Sequence, residues 1–297
     1  VRAVVGRLAL LLGVFALVAG AIAFFWGKDA AYRIPLNTDS FTRLTGEASG
    51  ALAKSDTPVP VTYVVHTQVD PKRSNGDVIA MEQTSCMATT GDYCIDGKGQ
   101  FVLAGDDEAV VNIGHNKFAL DRRTGLPVKD QSKYVTDADL TKDYQGVVVK
   151  FPFNTEKKDY DYWDSTVGKP VSAKYAGSRT IDGLKTYRFD VTVPSQEAEI
   201  ADDTQGTYEA KQSVWVDPLT GAFVDQEATQ TVALLDGTQV LDVKVRYTDG
   251  TVKDNVATAK DNGRSLWIVG TGLRVIAPIV GLLLIVGGVL LLRRRRA

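Results

Sequence analysis

The chain has 297 residues, of which 24% are charged, with 34 Lys and Arg against 36 Asp and Glu. Residues 28–265 hold 27 of the basic and all 36 acidic side chains, a net −9. That balance excludes the basic face that nucleic acid demands, and two histidines and two cysteines leave little for a metal centre.

Leu8 to Trp26 is an uncharged run of 19 residues rich in Leu, Val, Ala and Phe, the length that carries a helix across a hydrocarbon core. Arg2 and Arg7 precede it, and Lys28 and Asp29 follow. A cleaved secretion signal has the same order of regions, with small residues near Ala19 to Ala23 as its cleavage site. The run is longer than such a signal needs, so an uncleaved transmembrane helix over residues 8–27 is expected, with residues 1–7 in the cytoplasm.

Residues 28–265 read as an extracytoplasmic β-rich domain. Val59 to Val69 puts Val61, Tyr63, Val65 and Val69 on one face and Thr62, His66 and Gln68 on the other. Lys185 to Val193 and Gln239 to Tyr247 alternate in the same way, the mark of antiparallel strands with one polar face. Further strands are expected over Val78 to Thr90, Ala109 to Ile113, Gly146 to Phe151, Thr207 to Val216 and Phe223 to Val232. Turn residues separate them at Ser74-Asn75-Gly76, Asp96-Gly97, Asp182-Gly183, Asp236-Gly237 and Asp249-Gly250. Roughly ten strands joined by hairpins predict an elongated curled antiparallel sheet or a β-barrel-like domain. Helix is expected only over Gln196 to Asp202 and as a stalk over Asp254 to Arg264. In an oxidising compartment, Cys86 and Cys94 read as one local disulfide.

Two segments stand out. Lys150 to Asp164, KFPFNTEKKDYDYWD, sets Phe151, Phe153, Tyr160, Tyr162 and Trp163 among charges. Rings beside carboxylates and amides suit a carbohydrate face or a lipid headgroup rim. The plain alternative is a loop whose aromatics plug the end of the sheet. The second is an echo: KFALDRRTGLPV from Lys117 and SVWVDPLTGAFV from Ser213 share an Asp-x-x-Thr-Gly turn between strands. One turn solution used twice explains it, and an old duplication is the sharper reading.

Leu266 to Leu292 is apolar apart from Arg274, and Arg293, Arg294, Arg295 and Arg296 follow at once. This makes residues 266–292 a second transmembrane helix and 293–297 a basic cytoplasmic tail able to meet anionic headgroups. Arg274 and Trp267 suit the outer interface. Both termini then face the cytoplasm across a plasma membrane.

No GxSxG, Walker, GxGxxG or HExxH pattern occurs. His66 falls on a polar strand face and His115 after Gly114, so neither marks a catalytic centre. No enzymatic activity and no cofactor are expected, although a carboxylate pair for glycan hydrolysis stays open.

FALDRRTG at Phe118 to Gly125, FPFNTEKKDYDYWD at Phe151 to Asp164, GLKTYRFDVTVP at Gly183 to Pro194 and WVDPLTG at Trp215 to Gly221, with the two spans and the basic tail, resemble an actinobacterial envelope family of unknown function often labelled PorA-family porins. The resemblance covers nearly the whole chain. It implies an extracytoplasmic β-barrel-like domain with internal cavities and a role in the maturation of lipomannan and lipoarabinomannan lipoglycans. It carries no catalytic residues over. The expectation is a non-enzymatic accessory protein that binds a membrane lipid or lipoglycan. The alternatives are a scaffold that recruits membrane glycosyltransferases and, behind it, a glycan-processing enzyme.

Overall fold

A computed structural model describes residues 2–89, 94, 95, 109–136, 142–201 and 203–293. The chain divides into a helical unit, Val1–Arg33 with Lys260–Ala297, and a β unit, Ile34–Ala259.

In the helical unit α1 (Arg2–Ile22) runs on through a π-helical turn at Ala23–Gly27 to the short α2 (Lys28–Ala31). From the other end of the chain come the last turns of α3 (Asp249–Trp267), a π-helical stretch at Ile268–Ile276, and α4 (Ala277–Arg293). Both helical runs are long and apolar enough to span a membrane. Hydrocarbon gives apolar side chains no reason to cluster, so helices there pair through close backbone approach at small residues. Gly6, Gly13 and Gly20 recur every seven residues and are buried, facing Gly288, Gly281 and Pro278 in antiparallel order. A Cβ at Gly13 would stand 2.6 Å from Ile285 Cγ1, and one at Gly288 would stand 2.8 Å from the Gly6 carbonyl oxygen. Leu11, Phe15, Leu282 and Leu283 are left on the outside, as lipid contact requires. The Arg274 guanidinium lies 4.9 Å from the centre of the Phe24 ring, and Trp26 and Trp267 are exposed. Arg293 closes α4, whereas Arg294, Arg295 and Arg296 lie outside the described residues.

Among the described residues the β unit is one antiparallel sheet of ten strands. They are β1 (Asp39–Gly50), β2 (Ser55–Asp70), β3 (Val78–Ala88), β4 (Val110–Asp121), β5 (Tyr160–Asp164), β6 (Lys169–Ile181), β7 (Leu184–Ala201), β8 (Thr204–Val216), β9 (Phe223–Leu234) and β10 (Gln239–Tyr247). The spatial order is β4-β3-β2-β1-β10-β9-β8-β7-β6-β5, so the first and last strands pair at the centre and β4 and β5 form the edges. The sheet curls into a half-barrel. Its main core joins Leu44, Val61, Met87 and Val111 from β1 to β4 with Val193, Tyr208, Val232 and Val243 from β7 to β10. No ladder joins β4 to β5 among the described residues, so the curl stops short of a hydrogen-bonded barrel.

Several local expectations are corrected. Gln196 to Asp202 is no helix: through Ala201 it continues β7, with Gln196, Glu197 and Ala198 opposite Tyr208, Thr207 and Gly206. Ala198 and Ile200 point to the core with a period of two, and Pro194 falls where the register shifts, the position at which a sheet tolerates proline. Gly146 to Phe151 is no strand either. It is a strap that touches β5 through the single bridge Val147 to Tyr162. Asp249-Gly250 opens α3 instead of a hairpin, because Thr248 Oγ1 accepts the Thr251 N–H at 3.2 Å and caps the helix. β1, β5 and β6 are not among the expected strands: few residues of β1 and β6 are apolar, and β5 lies inside the aromatic stretch. Gly46 in β1 lies where the Lys244 backbone of β10 leaves no room for a side chain. The Asp182-Gly183 turn does join β6 to β7, with φ of 45° and 77° at the two residues. The Asp96-Gly97 turn lies outside the described residues. Cys86 and Cys94 form a disulfide, buried with Ala88.

Candidate functional site: the concave face and its seam

The inward face of the curled sheet is mostly aliphatic; Tyr160, Tyr175 and Tyr187 pack with Phe151 and Phe189, and four other tyrosines rise from it. These are Tyr63 of β2, Tyr162 of β5, Tyr208 of β8 and Tyr247 of β10. Tyr162 accepts a hydrogen bond from Gln212 Nε2 at 3.1 Å, and Tyr208 donates to Asp164 Oδ2 at 2.9 Å. Tyr63 is bonded to Ser85, and Tyr63, Tyr162 and Tyr247 lie close enough to affect one another's ionisation. Burial pushes Tyr162 up to about 12 and raises Tyr63, Tyr208 and Tyr247 as well, so all four stay neutral phenols. Gln226 and Gln230 of β9 share this face, being register partners of Val214 and Ala210. Tyr63, Val65, Tyr162, Ala210, Gln212 and Ala228 keep part of their surface accessible. The face thus offers aliphatic walls with a few amide and phenol groups, the pattern of a site for an amphipathic molecule.

The aromatic stretch divides its side chains. Phe151 is 0% exposed, stacked on Phe189 at 4.4 Å with Tyr160 and Phe223 edge-on. Tyr160 is half-buried, and its hydroxyl accepts the Glu156 N–H at 2.8 Å. Tyr162 belongs to the concave face. Trp163, on the opposite side of β5, enters a second cluster with Ile79, Met81, Phe118, Leu120 and Tyr144, where Phe153 also packs. Tyr144 sits between the two edges, with ring centres 5.6 Å from Phe118 of β4 and 5.2 Å from Trp163 of β5. The strap that bears it hydrogen-bonds β5 through Val147, which donates to Asp161 and accepts from Trp163, both at 2.8 Å. The seam of the half-barrel is therefore closed by side chains.

The two Asp-x-x-Thr-Gly turns have the same construction. Asp121 Oδ1 accepts the backbone N–H groups of Arg123 and Thr124 together with the Thr124 hydroxyl. Asp217 accepts those of Leu219 and Thr220 together with the Thr220 hydroxyl. Gly125 and Gly221 end them at φ 72° and 75°. Phe151, Asn154 and Thr155 dock on the second turn by donating to the carbonyls of Gly221, Leu219 and Pro218. Lys150 spans both turns: its stem covers Gly125, and its ammonium donates to the Phe151 carbonyl at 2.8 Å and lies 3.9 Å from the centre of the Phe153 ring. Desolvation holds the ammonium down to about 7, with the Asp217 carboxylate pulling the other way.

Sequence reasoning missed Tyr208 and Gln212, which no motif marks, and quoted Lys150 and Asp164 as the ends of the aromatic stretch without giving either a role. Strand alternation already set Tyr63 and Tyr247 on inward faces. On the outward side, Arg188 and Asp190 of β7, Lys211 and Ser213 of β8, Glu227 and Thr229 of β9 and Lys244 of β10 line a groove of ≈ 440 Å³. Away from this groove, on β1 to β4, each histidine has a carboxylate partner: His66 Nε2 meets Asp39 at 2.7 Å while its ring stacks on Phe41, and His115 pairs with Glu82. Among the described residues no cluster of three or more His, Cys, Asp or Glu is placed to hold a metal.

The family model described as Porin PorA matches residues 5–290. A protein named Porin PorA from Corynebacterium amycolatum is 29% identical over 96 residues, 29% of this chain and 25% of that protein. Another of that name from Corynebacterium resistens is 30% identical over 99 residues, 30% of this chain and 24% of the relative. The aligned segment thus spans about a quarter of each relative's length.

Proposed function

We propose a function for a chain that belongs to the Porin PorA family: it is a non-enzymatic envelope protein, anchored by two membrane helices, that holds a lipid or lipoglycan against the concave face of its β unit. The observation that carries this reading is the lining of that face, where Tyr63, Tyr162, Tyr208, Gln212 and Asp164 interrupt a continuous aliphatic wall. An acyl chain is matched by the wall, and hydroxyls or ester groups by the phenols and amides. The arginines at the two apolar ends favour an arrangement with both termini in the cytoplasm and the sheet outside.

The family name points to a channel. Against this, the sheet turns Asp242, Lys244 and Arg246 of β10 and Lys211 of β8 outward and exposed, where a membrane barrel carries an apolar band. A second reading, recruitment of membrane glycosyltransferases, draws on the charged outward groove of β7 to β10.

Native mass spectrometry of the full chain in mild detergent, before and after exposure to an envelope lipid extract, separates these readings. A retained lipid or lipoglycan mass is the expected result. A clean apo mass with an intact protein partner would favour the scaffold. Ion conductance that requires the chain in a planar bilayer would favour the channel.

A further inference from the structure

Arg274 carries a charge where the chain offers it no counter-charge. Residues 2–28 and 262–293 contain no Asp or Glu, and both helical runs are long and apolar enough to span a membrane. A guanidinium has five N–H donors and no acceptor. Among the described residues the only hydrogen-bond, ion-pair or ring contact of this one is with Phe24, whose ring centre lies 4.9 Å away. A ring face compensates part of the charge but gives the N–H groups no oxygen. Depth restricts what can supply one. Arg274 stands 19 residues before Arg293, about 28 Å along a helix, against about 30 Å for a hydrocarbon core. With Arg293 at one membrane boundary, Arg274 lies at the other, which the exposed Trp26 and Trp267 also mark. The backbone is widened at this level in both runs. Arg274 falls in the π-helical stretch Ile268–Ile276 and Phe24 in the π-helical turn Ala23–Gly27, and a Cβ at Gly27 would stand 3.3 Å from Val269 Cγ1. Such wide turns recur at functional sites. Arg274 is half-buried there, its head held over Phe24.

At a membrane boundary the abundant anion is the phosphate of a phospholipid, and its two unesterified oxygens match the guanidinium fork as a bidentate pair. A neutral glyceride brings carbonyls alone and leaves the charge uncompensated. We propose that Arg274 binds the phosphate of one phospholipid at the boundary opposite Arg293, with the exposed Phe24, Leu273 and Val275 as an apolar bed for its acyl chains. The site rests on the two apolar runs lying in a membrane and is independent of what the concave face holds.

The test titrates the full-length chain, freed of lipid by exchange into a maltoside detergent, with two probes of equal acyl chains, phosphatidylglycerol and diacylglycerol, and reads bound lipid by native mass spectrometry. The wild type is expected to prefer phosphatidylglycerol. Arg274→Gln should bind it about 10-fold more weakly, the ratio that a hydrogen bond to a charged group supplies, and should bind diacylglycerol as the wild type does. Arg274→Lys keeps the charge, loses the fork and should recover only part of the affinity. Arg293→Gln, at the other boundary, should match the wild type. Unchanged phosphatidylglycerol binding by Arg274→Gln would overturn the assignment and leave the carrier reading standing, because the lipid is then held elsewhere. An equal loss in Arg293→Gln would reduce the effect to general attraction of headgroups and overturn it as well. Should the Gln variant fail to fold, the wild-type comparison decides, since equal binding of the two probes overturns the assignment alone.

Discussion

Replacing Lys150 with Met should stabilise the β unit near neutral pH, and the gain should fade as the pH rises. Desolvation lowers this amine from its ordinary value of 10.5 to about 7. Between those values the unfolded chain holds the proton more tightly than the folded one, so lowering the pH through that window favours unfolding. The penalty is absent above the unfolded value, grows as the pH falls, and is complete below the folded value. At roughly 1.4 kcal/mol per unit, the shift sets a ceiling of about 5 kcal/mol. The side chain keeps part of its surface in solvent, and Met gives up the Phe151 carbonyl and the ammonium over Phe153. Those losses are worth about 1–2 kcal/mol together, so a net gain of about 1–2 kcal/mol at pH 6.5–7 is expected. Urea unfolding of wild type and Lys150→Met across about pH 6.5 to 9.5 reads it directly, because other titrating groups cancel in the difference. Parallel stability profiles for the two proteins would refute the argument.

Phe151→Ala should cost about 3–5 kcal/mol, since it empties the stack on Phe189; a urea midpoint close to wild type would show that the strap carries little of the core. Reduction of the Cys86–Cys94 disulfide should cost about 2–3 kcal/mol by the loop-entropy relation, visible as a lower thermal midpoint in reductant. For the helices, Gly13→Leu forces a side chain against Ile285 and the Gly281 carbonyl and should lower the thermal midpoint of the helical unit in mild detergent; an unchanged midpoint would contradict the glycine-packed pairing.

The sequence exposed what repeats and hid what converges. Alternation in β7 and β10 and the turn at Asp182-Gly183 were legible because local chemistry dictates them. β1 was not: Ser40, Thr42, Thr45 and Gly46 carry little apolar signal, and the strand exists because β2 and β10 pair with it on both sides. The aromatic stretch stands out in the sequence, yet composition could not say that Phe151 goes to the core while Trp163 goes to the seam. A step of one residue along β5 reverses the face, and the fate of each ring depends on a strap and a β4 edge far away in sequence. Lys150 was invisible for the same reason, as its environment comes from two turns nearly a hundred residues apart.

The remaining question is which part of the molecule meets lipid. A sheet can lie in hydrocarbon only when every backbone group is paired, which requires closure. Here β4 and β5 are edges bridged by side chains and one strap, and the convex face carries charges of both signs. Immersing that face would strip water from Lys211, Glu227 and Lys244 with nothing apolar to replace it. The helices have the reverse character: Leu11, Phe15 and Leu283 face outward while glycines make the contact. A fold that assigns spanning to two helices leaves its sheet free of the demands of a barrel wall. That freedom allows a half-barrel whose seam is closed by side chains instead of a ladder and whose concave face is dotted with polar groups, the arrangement on which the proposed binding of an amphipathic molecule rests.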